Sequence, residues 1–144
     1  MSSLVRNLLA LLAGALLAIA GIGLIQVLAH LAYPPPPGLD LQDPAVRATI
    51  MMSAPMGALL LVLLSYVTGT FAGAWIAARL SADAAARQGY MIGGMMLISG
   101  FMNLTAIPHP PWFWAASITG FVVAAYLGAR QGAKRPPAPV SAGD

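Results

Sequence analysis

The chain has 144 residues, 59% of them hydrophobic and 8% charged, with a mean hydropathy of +0.80. Ordinary globular domains carry about 25% charged residues, so a water-facing surface is excluded and a membrane domain is expected. Seven Lys and Arg against four acidic residues leave a formal net charge of +3, and cysteine is absent. Disulfides, thiolate nucleophiles and thiolate metal sites are thereby excluded. The cations sit singly at the ends of apolar runs rather than along one stripe, so no nucleic-acid partner is expected.

An Arg, Lys or Asp at the centre of a spanning helix costs about 2.5 to 3.5 kcal/mol on insertion scales, so charge-free intervals mark the architecture. They run from Asn7 to Gly38, from Ala48 to Ala78 and from Gln88 to Ala129. A span needs about 20 apolar residues, so the first two hold one helix each and the third holds two. Pro108-His109-Pro110-Pro111 divides the third, because proline lacks the amide donor and clashes with the preceding turn. The predicted spans are Leu8 to Ala32, Met56 to Ala78, Tyr90 to Ile107 and Trp112 to Ala129. The expected fold class is all-α, a four-helix integral membrane bundle occupying residues 1–135.

At the N-terminus, Arg6, a leucine-rich core and Ala18-Ile19-Ala20 resemble a cleavable signal peptide. The apolar run continues to Ala32, past the usual length of such a core, and favours a permanent anchor. After it, Pro34 to Pro37 form an extended segment. Asp43-Pro44 reads as an N-cap with proline at the first helical position, opening a short surface helix to about Ser53 within the loop 33–55. The tail 136–144 is expected to be disordered.

Orientation follows from the cations. Arg6, Arg79, Arg87, Arg130, Lys134 and Arg135 fall on one side of the expected spans and Arg47 on the other, which places both termini in the cytoplasm. Tyr33, Trp112, Phe113 and Trp114 fall at the outer boundary and Trp75, Tyr90 and Tyr126 at the inner one, where amphipathic rings prefer to sit. A bacterial inner-membrane location is expected.

An internal likeness joins Thr68–Arg79 to Thr119–Arg130. Thr-Gly opens both, Trp75 meets Tyr126, and Ala-Arg closes both. Two readings stand side by side: a tandem duplication of helical hairpins, as in parallel-repeat membrane proteins, and the shared composition of Ala- and Gly-rich spans.

Small residues four apart make the strongest pattern. One run is Ser65, Gly69, Gly73 and Ala77; another is Ala116, Gly120, Ala124 and Gly128, with Gly132 beyond; a third is Ala10, Gly14 and Ala18. Such positions share a helix face and let backbones approach closely. Packing within the bundle is weighed above self-association. Polar residues within the expected spans include Gln26, Ser65, Thr68, Thr70, Ser99, Asn103, Thr105, Ser117 and Thr119, none of them ionisable. Proton- and ion-coupled carriers place ionisable groups at depth, so such mechanisms are disfavoured. Asn103, whose amide needs several hydrogen-bond partners, is read first as interhelical glue; with Ser99, Thr68 and Gln26 it is the candidate lining of a polar cavity.

His30 and His109 near the outer boundary lack a supporting carboxylate or thiolate, and are read as interfacial rather than metal-ligating. The methionines at 51, 52, 56 and from Met91 to Met102 are read as packing groups rather than a Cu(I) site. The serines lack a partner histidine at comparable depth, and the glycines form no phosphate loop. No catalytic residue, metal or cofactor is expected.

Pro35-Pro36-Pro37-Gly38 with Asp40, Gly69-Thr70 with Gly73-Ala74, and Gly100, Asn103, Pro108, Pro110, Trp112 and Phe113 together resemble a family of small four-span bacterial inner-membrane proteins without assigned activity. The chain departs from that pattern at His30 and His109, where small residues are usual, and at Tyr66, where a histidine is common. The resemblance implies a fold and brings no activity. The expected function is a structural or accessory membrane subunit, non-enzymatic, acting through helix and lipid contacts. Its expected partners are membrane lipid and a homo-oligomer or larger complex. The alternatives are a small transporter with a polar path near Asn103 and, last, an enzyme acting on lipid or quinone.

Overall fold

Proline chemistry sets half of the helix limits. The computed structural model describes residues 2–134, so Arg135 and the tail lie outside the described residues. Within them the chain forms five helices and no strand. Helix α1, Ser3–Ala32, opens on the Ser2 hydroxyl, which accepts from Val5 N at 3.4 Å. It stops at Tyr33, because a residue before proline is pushed out of the helical region. Helix α2, Pro44–Met52, is capped by Asp43, whose Oδ1 accepts from Ala45 N at 2.8 Å. Helix α3, Met56–Leu80, begins after Pro55, and α5, Pro111–Ala133, begins after Pro110. Helix α4, Ala85–Ala106, ends at Ile107 before Pro108.

Helices α1, α3 and α5 are long and apolar enough to cross a membrane. Four such helices were expected. Helix α4 is the least apolar of the long helices, because Arg87, Gln88, Ser99, Asn103, Thr105 and four glycines interrupt its methionines and aromatics.

The long helices pack as a rhombus. Helices α3 and α4 form the short diagonal and each touches every other long helix, whereas α1 and α5 do not meet. Helix α2 rests on the bundle through Met51 and the adjoining Ala54. The core joins Ala18, Leu59, Tyr66, Ala77, Ile92, Met96, Leu104, Phe113 and Phe121. Tyr66 lies stacked on Phe121 with ring centres 5.1 Å apart and meets Phe113 edge-on at 6.3 Å.

The small-residue runs lie largely at the helix contacts. On α3, Ser65, Gly69, Gly73 and Ala77 are buried, and a Cβ added at Gly73 would fall 2.6 Å from Gly14 O and 2.7 Å from Ala18 Cβ. On α5, Ala124 and Gly128 are buried, and a Cβ at Gly128 would fall 2.5 Å from Phe71 O. Ala116 and Gly120 are only half-buried, flanking a shallow groove with Val67 and Val123.

The two hairpins do not repeat each other's packing. Helix α3 meets α1 through Gly69, Gly73 and Ala77, while α5 meets α4 through Phe121, Ala125 and Ala129. In the sequence overlay those α5 residues correspond to positions 70, 74 and 78 of α3. The one-residue offset turns the contact face by about 100°, and the α3–α4 contact has no α1–α5 counterpart.

Candidate functional site

Asn103 and Gln26 each reach an α3 side chain. Asn103 Nδ2 donates to Tyr66 Oη at 2.7 Å. Gln26 Nε2 donates to Ser65 Oγ at 3.5 Å, and Ser65 Oγ donates to Val62 O at 2.6 Å. Thr68 and Ser99 lie on exposed faces, and Thr68 Oγ1 donates to Leu64 O within its own helix at 2.7 Å. The structure therefore does not gather the four candidate cavity residues around one space. Asn103 and Gln26 make separate interhelical contacts, and none of the four lines the groove at Gly120 or the cleft beside Tyr33. Thr70 Oγ1, Ser117 Oγ and Gln88 Oε1 are buried without a protein partner. Of these, Gln88 escaped the sequence reading, because it stands one residue beyond Arg87 at a helix start, where a polar side chain is ordinarily solvated.

A cleft of about 500 Å³ opens at the proline end of the bundle. Ala29, Tyr33 and Pro34 to Pro36 wall one side; Ile50, Met51, Ala58, Leu59 and Val62 wall the other. The Tyr33 hydroxyl lies directly over Gly57, where any Cβ would displace it. His30 reaches this cleft from the exposed end of α1. His109 is buried elsewhere at the α4–α5 turn, its ring parallel to Phe113 with centres 4.9 Å apart. Its Nδ1 donates to Ile107 O at 2.6 Å, which places the neutral imidazole's proton on Nδ1. Burial pushes the His109 pKa below the usual histidine range, and the carbonyl bond opposes that shift.

The opposite end is cationic. Arg6 starts α1, Arg79 ends α3, Arg87 starts α4, and Arg130 and Lys134 close α5. Arg6 Nε donates to Leu80 O at 2.9 Å, and an Arg79 terminal nitrogen donates to Lys134 O at 2.8 Å. Each guanidinium thus satisfies a carbonyl at the end of another helix, where the helix dipole is negative. Asn7 Oδ1 accepts from Ala82 N at 2.8 Å and ties the α3–α4 turn to α1. Arg130 donates to the Tyr126 hydroxyl and lies over that ring, 5.3 Å from its centre.

No known family model, curated protein or solved structure matches the chain. Among the described residues no group of three or more His, Asp or Glu converges on a metal position.

Proposed function

We propose that the protein is a four-span bacterial inner-membrane protein with both termini cytoplasmic, serving as a structural or accessory subunit through helix and lipid contacts. The observation that carries this reading is the uneven cover of α1. Only 17% of its most apolar window is buried, against 39% for α3 and for α5. Leu8, Leu12, Leu16, Ile19, Leu24 and Leu28 are all exposed on it. Lipid or another helix must cover such a surface, since water would not tolerate it.

A fourth span through α4 is supported by length and surface. Its 22 residues give about 33 Å at 1.5 Å per residue, against about 30 Å of hydrocarbon. Tyr90, Met91, Met95, Ile98, Phe101 and Met102 make its exposed side apolar. The transport alternative finds no comparable support, because Asn103 and Gln26 are engaged across helix contacts and Thr68 and Ser99 face outward.

Extraction in native lipid with in-membrane crosslinking from α1 tests the subunit reading. Crosslinks from Leu12 or Leu16 to a protein chain are expected. A solitary monomer, crosslinked only to lipid, would defeat the proposal. Solute flux in reconstituted vesicles that disappears with Asn103→Leu would replace it with transport.

A further inference from the structure

The arginine end carries an unbalanced charge whose donors are held in place. Arg6, Arg79, Arg87, Arg130 and Lys134 gather there with Asp83 as the carboxylate of the α3–α4 turn. Five cations thus stand against one carboxylate there. The proline end holds Arg47 with Asp40 and Asp43, so the positive excess belongs to one end.

Arg130 is held by Tyr126 of its own helix, whereas Arg6 and Arg79 are held by main-chain carbonyls of other helices. A guanidinium has five N–H donors, arranged so that neighbouring pairs can grip two oxygens of one phosphate or carboxylate. Arg6 uses Nε on Leu80 O, which leaves its two terminal nitrogens as an intact edge. Arg79 uses one terminal nitrogen on Lys134 O, which leaves Nε and the other terminal nitrogen. Each keeps a two-donor edge while a main-chain carbonyl restrains the side chain. The ordering cost that normally weakens an exposed arginine contact is thus partly met before any ligand arrives. Both bonds are exposed, so the remaining donors are open to the surroundings.

We propose that this end binds the phosphate of anionic phospholipid headgroups, with Arg6 and Arg79 as two separate, pre-positioned contacts. The proposal rests on the membrane reading above. Lipid phosphate is the anion that a cationic helix end meets at a bilayer surface, and anionic lipids add a negative surface potential that attracts each basic residue there. The planar fork distinguishes these contacts from a diffuse attraction, which any cation would supply equally.

The test is lipid selectivity in the first shell. Full-length protein is reconstituted in vesicles of phosphatidylcholine with a minor share of phosphatidylglycerol, and spin-labelled lipids report which headgroup associates. Phosphatidylglycerol should be enriched, and each of Arg6→Gln and Arg79→Gln should reduce that enrichment by about fivefold at most, the full worth of one basic residue at the surface. Arg47→Gln should leave it unchanged. Arg6→Lys with Arg79→Lys keeps the charge and loses the fork, and should retain only part of the selectivity. Circular dichroism on every variant separates a lost contact from a lost fold. No enrichment in the wild type overturns the proposal, as does a double Gln variant that keeps the full wild-type enrichment. Full selectivity in the double Lys variant also overturns it. Inorganic phosphate that abolishes selectivity, where chloride of equal ionic strength does not, would reassign the site to a free anion. Flotation of the same vesicles reports separately on the membrane reading, since protein that fails to float refutes that reading itself.

Discussion

The Asn103–Tyr66 bond joins α4 to α3, with Tyr66 also packed against Phe113 and Phe121. Hydrogen bonds between helices in a bilayer average about 0.6 kcal/mol in double-mutant cycles. A cycle of Asn103→Leu and Tyr66→Phe, followed by unfolding in detergent, should give a coupling of that order. A coupling near zero would mean that the two groups act independently. His109 supplies a pH-dependent counterpart. Its pKa is lowered in the fold, so the native state takes up a proton less readily than the unfolded chain. Its contribution is complete above the ordinary histidine pKa of about 6.5 and is lost as pH falls through that value towards the folded one. The melting temperature should therefore drop on acidification below that range, and His109→Phe, which keeps a ring against Phe113, should flatten the drop.

At the level of helices, the α1–α3 contact depends on missing side chains. Gly73→Ala would place a methyl against Gly14 O and Ala18 Cβ, and overpacking of this kind costs about 1 to 3 kcal/mol. Gly23→Ala on α1 meets nothing within 4 Å and should be neutral or stabilising by about 0.5 to 1 kcal/mol, as helix propensity dictates. Equal effects on thermal unfolding would contradict the close approach. The α3–α4 turn carries the opposite kind of strain. Ala84 precedes α4 with φ 46° and ψ 49°, a left-handed conformation that costs an L-residue about 1 to 2 kcal/mol. Ala84→Gly should raise the melting temperature.

The helix limits set by Pro34, Pro44, Pro55, Pro108 and Pro111 were the most legible, because proline acts through its own covalent geometry, whereas α1 and α4 begin five residues before the predicted Leu8 and Tyr90. The glycine and alanine runs were legible for a related reason: close backbone approach needs small residues, whatever the neighbour. The polar positions were not. Where nearly every face of a helix is apolar, periodicity does not say which face turns inward. Ser99 stands one turn before Asn103 and is exposed, while Asn103 turns to a tyrosine 37 residues away. That pairing depends on helix register across a tertiary contact, which local sequence does not encode.

For the molecule as a whole, the arrangement of ends is the most direct target. The chain has no cysteine, so single cysteines can be introduced without a background. Ser3→Cys at the start of α1 and Ala133→Cys at the end of α5 should be shielded from an impermeant thiol reagent in intact cells, while Thr49→Cys on α2 should react. Reaction at Ser3 or Ala133 would reverse the proposed orientation.

The separation of α1 from α5 bears on how the chain is made. During synthesis α1 and α3 emerge first and can zip together along Gly14, Ala18, Gly69 and Gly73. The reverse side of α3, at Phe71, Ala74, Trp75 and Ala78, receives Gly128 and Gly132 only when α5 has left the ribosome. Until then that side of α3 is uncovered, so the α1–α3 pair must form before the α3–α5 contact can.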